Sequence, residues 1–329
     1  MKPVLVTGGA GYIGSHTVQE LIKDGALVVV LDNLSTGHLD AVHARHFYEG
    51  DIADTALVEH IIKEHGIKSV IHFAAKSLVG ESLAKPELYF YENTVKSFMF
   101  FEAAVKAGVK HIVFSSTAAV YGIPPDIPIR EETMLAPINP YGDSKRMIEK
   151  YLEWMGKVHS INWVALRYFN AAGASLDGSL GEDHRPETHL IPLVLQTALG
   201  LREKLAVFGT DYKTADGTCI RDYVHVVDLA NAHILALQAL EHGLQSGIFN
   251  VGTGKGYSVR EIIAKSQALT GYKIAVEYGE RRAGDPPVLV ADSAAIKGIL
   301  GWEPGYSDLE TILSSAWHWH STHPKGYRL

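Results

Sequence analysis

The sequence predicts an α/β fold, a doubly wound parallel sheet with a smaller C-terminal domain, and three observations predict it. Short, nearly continuous apolar runs alternate with helically spaced segments through the first two-thirds of the 329 residues, the pattern of parallel strands buried on both faces. Gly8, Gly9, Gly11 and Gly14 follow directly after the first run. Beyond about Asn170 the alternation weakens and loop-rich sequence takes over.

The elements follow in order. The β-branched run 4–6 predicts the first strand, and the glycines then open a helix carrying Val18, Leu21 and Ile22 on one side. Strands are expected at 27–31, ending at Asp32 and Asn33, and at 46–48, before Gly50 and Asp51. Apolar runs at 69–73 and 111–115 flank a helical segment over 89–107, and a helix over 141–155 precedes a strand at 161–167. Later, 190–199 reads as a helix, 205–209 as a strand, and 228–240 as a helix that Asp228 can cap. A strand at 247–251 and a helix over 259–269, capped by Ser258, complete the pattern. The expected division is a dinucleotide-binding domain over 1–175, with about 221–252 returning to it, and a smaller substrate-binding domain over 176–329.

Apolar residues make up 47% and charged residues 20%, enough for a large core and too balanced for disorder. Thirty Lys and Arg against 37 Asp and Glu give a net charge of -7, which does not favour a nucleic-acid partner. A single cysteine rules out an intramolecular disulfide framework. No apolar stretch approaches the roughly 18 residues of a membrane span. The opening MKPVLVTGGAGYIG has no signal-peptide architecture. A soluble cytoplasmic protein without a membrane partner is the expectation.

Gly8, Gly11 and Gly14 form G-x-x-G-x-x-G between the first strand and first helix. Such a turn brings backbone N–H groups and a helix N-terminus to a pyrophosphate, the Rossmann-type dinucleotide site. Asp32 ends the second strand, 18 residues after Gly14, where a carboxylate accepts hydrogen bonds from the adenosine ribose and repels a 2′-phosphate. NAD is therefore expected over NADP. Asp51 is positioned to reach the adenine amine, with Ile52 against the ring, and Ala74 and Ala75 bring backbone close to the cofactor.

Tyr141 and Lys145 stand four apart on one helix and so point to one side. Tyrosine titrates near 10 and is a poor base at neutral pH, but an ammonium and an oxidised nicotinamide both favour the phenolate. The strand at 111–115 leads into Ser116 and Thr117, placing Thr117, or alternatively Ser116, at the carboxyl edge of the sheet. Hydroxyl, phenol and ammonium beside a nicotinamide make a hydride-transfer site for an alcohol.

On these residues the chain resembles the UDP-glucose 4-epimerase (UDP-galactose 4-epimerase) family of the extended short-chain dehydrogenase/reductase superfamily. The likeness covers TGGAGYIG, Asp32-Asn33, His72-Phe73-Ala74-Ala75, SSTAAVYG, Tyr141-Gly142-Asp143-Ser144-Lys145, Arg167-Tyr168-Phe169-Asn170, GEDHRPETHLIP, Arg221-Asp222-Tyr223-Val224-His225 and Arg281-Arg282-Ala283-Gly284-Asp285. It implies a homodimer, a tightly held NAD regenerated each turnover, and reversible conversion of UDP-glucose and UDP-galactose through a 4-keto sugar. Tyr141 matches the family's catalytic tyrosine, Lys145 its partner and Thr117 the hydroxyl residue. The implied cofactor set also includes Tyr12, Ile13, Asn33, Phe73, Asn93, Ser115 and Tyr168. Lys76 and Ser77 compete for the place of a lysine that contacts the cofactor in many members. The helices around 89–106 and 141–155 are the candidate dimer faces.

A nucleoside diphosphate calls for converging arginines, and Arg221 and Arg282 are assigned by chemistry and by resemblance. Asp285 is placed on the uridine ribose, Asn170 on the diphosphate or sugar, and Phe208 against the uracil. His189 stands where the family often has asparagine, beside Leu190, and by resemblance Leu289 is expected to gate the hexose pocket against N-acetyl groups. The histidines at 184 and 189, and those at 318, 320 and 323, show neither an HExxH helix nor a cysteine-containing ligand pattern, so no metal is expected. Two other classes remain for comparison. A dehydratase needs an acid–base pair after the strand-end threonine, where this chain has Ala118-Ala119, and a nonenzymatic NAD-binding scaffold needs no Thr117, Tyr141 and Lys145 together.

Overall fold

A computed structural model describes residues 2–281 and 285–327. Strand β1 (Val4–Thr7) leads into α1 (Tyr12–Lys23), followed by β2 (Val28–Asp32), β3 (His46–Glu49), α2 (Thr55–His65) and β4 (Ser69–His72). Short helices α3 (Val79–Ala84) and α4 (Pro86–Tyr89) precede a widened helical turn at Phe90–Val95 and α5 (Lys96–Lys106). Then come β5 (His111–Ser115), α6 (Pro140–His159), β6 (Asn162–Tyr168), β7 (Asn170–Ala172), α7 (Leu190–Ala198), β8 (Leu205–Phe208) and β9 (Ile220–His225). The chain continues through α8 (Val226–Glu241), β10 (Gly247–Val251), β11 (Gly256–Ser258), α9 (Val259–Thr270), β12 (Val276–Gly279), β13 (Val288–Leu289), α10 (Ala294–Leu300) and α11 (Leu309–Thr322).

Seven parallel strands form one sheet in the order β10-β6-β5-β4-β1-β2-β3. The chain reverses direction across the sheet between β1 and β4, the point at which such folds open a crevice beyond the strand ends. Successive strand residues face opposite layers. Leu5, Val29, Leu31, Val70, Ile112 and Phe114 pack with α2, α5 and α6, whereas Val4, Val6, Val28, Val30, Ile71 and Val113 pack with α1, α8 and α10. Burial on both faces explains why these strands lack polar alternation. A second sheet, centred on β9, pairs with β7 and β13 in parallel and β11 antiparallel, and β8 pairs with β12. Helices α7, α9 and α11 share a third core there.

The strand and helix expectations hold within one to four residues, with two differences of substance. Helix α8 begins at Val226 with His225 as its cap, whose Nδ1 accepts from the Val227 amide at 3.2 Å. Asp228 is no cap; its carboxylate is buried and accepts from the amides of Gly305 and Tyr306 and from Ser307 Oγ, at 2.9, 2.8 and 2.6 Å. The segment over 89–107 is helical but widened by one residue per turn at Phe90–Val95, which aims Asn93 inward. Among the described residues no helix is long and apolar enough to cross a membrane.

Candidate active site

A cleft of about 1060 Å³ runs from the glycine turn, past the ends of β2 and β5, to the β9 sheet. Gly8 has φ +72°, and a Cβ there would sit 2.6 Å from the Ala74 amide nitrogen; at Gly14 it would strike the Gly8 carbonyl. A Cβ at Gly11 would meet nothing nearer than 3.4 Å, so that glycine opens onto the cleft. The backbone cradle therefore suits a pyrophosphate and excludes side chains at Gly8 and Gly14. Asp32 accepts from the amides of Ala10 and Leu34 at 2.9 and 2.8 Å, and burial raises its pKa against these bonds. Its carboxylate lines the cleft, as do Tyr12, Ile13, Asn33, Asp51, Ile52, Phe73, Ala74, Ala75, Ser115 and Tyr168. These donors and glycines fit NAD.

Two expected cofactor residues have different surroundings from those foreseen. Asn93 is fully buried and does not line the cleft. It clamps the loop behind it, accepting from the Lys76 amide at 2.7 Å and donating to the Lys76 carbonyl at 3.0 Å. The Asp51 carboxylate accepts from Lys96 Nζ at 2.7 Å and from Asn33 Nδ2 at 3.2 Å. Lys96 lies 45 residues away in sequence, and nothing in its local pattern distinguished it. Both Lys76 and Ser77 line the cleft.

At the end of β5 the main chain sorts the two hydroxyls. Ser116 is fully buried and donates to Glu149 Oε1 at 2.5 Å, whereas Thr117 lines the cleft. Glu149 also receives a fork from Arg167, at 3.0 Å from Nε and 2.6 Å from Nη2, which fixes the floor beneath the strand end. Asn139 caps α6 through the Gly142 amide at 2.8 Å, so that the first turn presents Tyr141 and the second Lys145. Both are buried yet line the cleft. Burial raises the Tyr141 pKa, as do Tyr168 and Tyr89, while a hydrogen bond with Thr117 opposes them. Burial pushes the Lys145 ammonium down to about 7, opposed by Glu149, and its Nζ donates to the Ser115 carbonyl at 2.9 Å. Ser115 Oγ and Tyr168 OH are 2.8 Å apart, completing a polar row across the strand ends.

The far wall carries Asn170, His189, Leu190, Phe208, Arg221, Asp285 and Leu289. Arg221 and Asp285, expected to serve separate parts of a nucleotide, form an ion pair with each other. Leu289 stands beside Arg221 in the β13–β9 register. Arg282 lies outside the described residues. Cys219 is buried, consistent with a small packing side chain. Sequence reasoning missed Glu182 and Glu187, which the 177–188 loop brings against His184 and His189; their E-x-H-x-x-E-x-H spacing follows no helical period.

A dinucleotide cradle that shares one cleft with a phenol, a hydroxyl and an ammonium defines a nicotinamide-dependent enzyme. The chain belongs to the NAD dependent epimerase/dehydratase family, whose model matches residues 4–252, and within it to the UDP-glucose 4-epimerases. It is 53% identical over 324 residues to the UDP-glucose 4-epimerase of Halalkalibacterium halodurans, covering 98% of this chain and 97% of that one. It superimposes with a TM-score of 0.95 on the UDP-glucose 4-epimerase from Brucella ovis in complex with NAD, at 46% identity, covering 97% and 98% of the two chains. The Bifidobacterium longum enzyme in complex with NAD+ and UDP gives a TM-score of 0.93 at 38% identity, covering 99% and 100%.

Proposed function

We propose that this chain interconverts UDP-glucose and UDP-galactose at C4 of the hexose, with Tyr141 as acid/base, Thr117 as its partner on the reacting oxygen and Lys145 as the cofactor-side cation. The observation that supports it is the placing of Thr117, Tyr141 and Lys145 in one continuous cleft with the Gly8–Asp32 cradle and with Arg221 and Asp285. When bound, NAD accepts the C4 hydride and returns it to the opposite face, and its oxidised ring adds positive charge beside the phenol.

The Tyr141 oxygen takes the proton of the C4 hydroxyl as the 4-keto sugar forms. Thr117 donates to that same oxygen and relays the proton. Lys145 holds the nicotinamide ribose and favours phenolate through its charge. Arg221 turns from Asp285 to the diphosphate, releasing the carboxylate for the uridine ribose, and Arg282 joins it. Asn170 and Phe208 complete the nucleotide grip. That anchor leaves the hexose free to rotate about its link to the diphosphate, so that Tyr141 returns the proton after the opposite face is presented. Ala118 and Ala119 line the cleft beyond Thr117 and offer no acid–base pair for dehydration.

The chain divides, in this reading, into a cofactor domain over 1–175 with about 221–252, and a nucleotide-sugar domain over 176–329. It acts in the cytoplasm as a homodimer. Tyr91, Val95 and Met99 on the 90–106 helical segment and Met147, Trp154 and Val158 on α6 are all exposed, apolar surface on the two candidate helices that supports the dimer. Incubating the purified protein with UDP-galactose and no added cofactor tests the assignment: UDP-glucose and extractable NAD are expected, and a requirement for stoichiometric NAD would reject it.

A further inference from the structure

The loop between β7 and α7 brings one ligand atom each from Glu182, His184, Glu187 and His189 within 4.8 Å of one another. His189 Nδ1 lies 2.7 Å from Glu182 Oε1 and 3.3 Å from Glu187 Oε1; His184 Nδ1 lies 3.2 Å from Glu182 Oε1 and 3.6 Å from Glu187 Oε2. The carboxylates are only 4% and 5% exposed. Even so, Glu182 Oε1, Glu187 Oε2 and His184 Nδ1 have no aligned hydrogen-bond partner among the described residues. Close approach without alignment is the signature of donors aimed at a common point rather than at each other. A tetrahedral zinc ion with bonds of about 2.0–2.1 Å holds its donors roughly 3.3 Å apart, within the observed spread.

We propose that Glu182, His184, Glu187 and His189 form a four-ligand site for a divalent transition metal, zinc by its donor set. Two imidazoles and two carboxylates match zinc better than the all-oxygen shells of calcium or magnesium. Two carboxylates neutralise the dication, which settles the cost of burying both acids in one loop. Four protein ligands leave no open position, so the ion is structural. It ties the segment that leads into α7, and so His189 and Leu190 on the cleft wall, to the side of the cleft where the Tyr12 ring meets His184 edge-on at 6.1 Å. The site thus links the cofactor's glycine turn to the substrate wall without entering the chemistry.

The test uses tag-free protein purified without chelator, its metal content measured by mass spectrometry. Chelator-stripped protein is then titrated with zinc alone and melted with and without it. About one zinc per chain is expected, with a rise in Tm of the stripped protein on zinc addition. Both should be lost in Glu187→Gln and in Glu182→Gln. Stripped wild-type protein that takes up no zinc and melts unchanged would overturn the site, leaving an ion-paired cluster within the loop. Zinc uptake by both variants equal to that of the wild type would overturn it as well.

Discussion

Replacing Tyr141 by phenylalanine isolates one oxygen atom. The side chain is 7% exposed and the ring of phenylalanine fills the same space, so packing is retained. The loss to the fold is one hydroxyl's interaction with Thr117, about 1 kcal/mol at most. On the proposed role, the loss to the reaction is the whole acid/base function, which is worth roughly 10²–10⁴-fold in turnover. The two effects separate cleanly by assay. Y141F should melt within a few degrees of the parent and retain its NAD, while conversion of UDP-galactose to UDP-glucose falls by at least about a hundredfold. A folded, NAD-loaded variant with turnover near that of the parent would refute the role of the phenol. Equal loss of NAD and activity would show instead that Tyr141 holds the cofactor.

Three further outcomes are expected. Gly8→Ala forces an L side chain to φ +72°, with its Cβ 2.6 Å from the Ala74 nitrogen, so purified G8A should carry little extractable NAD; full occupancy would contradict the cradle. Leu289→Ala removes a branched group from the wall beside Arg221, and kcat/KM for UDP-N-acetylgalactosamine relative to UDP-galactose should rise about tenfold to a hundredfold; an unchanged ratio would show that Leu289 is not the gate. Burial lowers His16, His225 and His233 to about 4 and His72 to about 3. Each is neutral when folded but protonated in the unfolded chain between its lowered pKa and about 6.5, so stability declines as pH falls through that window, by about 1.4 kcal/mol per pH unit per histidine. Urea midpoints that do not move between pH 7 and pH 5 would contradict this, and His233→Leu should flatten the slope.

The strand series was legible because parallel strands buried on both faces leave continuous apolar runs, and the glycine turn because only glycine tolerates the contacts at Gly8 and Gly14. Tyr141 and Lys145 were legible through helical spacing, and the order of hydroxyls after β5 needed the structure to separate Ser116 from Thr117. What escaped reading depends on distant partners. Asp228 looks like a cap until the chain returns at Gly305 to claim its carboxylate. Asn93 reads as a ligand until the loop at Lys76 folds over it. Asp51 lines the cleft, and its ion pair with Lys96, 45 residues on, needed the fold to reveal it. The Glu182–His189 cluster is built by an irregular loop, and no periodicity announces a set that only the fold of that loop brings together.

In the proposed cycle hydride leaves C4 and returns to the same carbon while the enzyme holds the keto sugar. The most direct test is turnover of UDP-galactose deuterated at C4, in ordinary water and without added cofactor, with the product examined by mass spectrometry and NMR. The expected product is UDP-glucose that keeps its deuterium at C4. Deuterium washed out into solvent, or product formed only when NAD is supplied in stoichiometric amount, would contradict it.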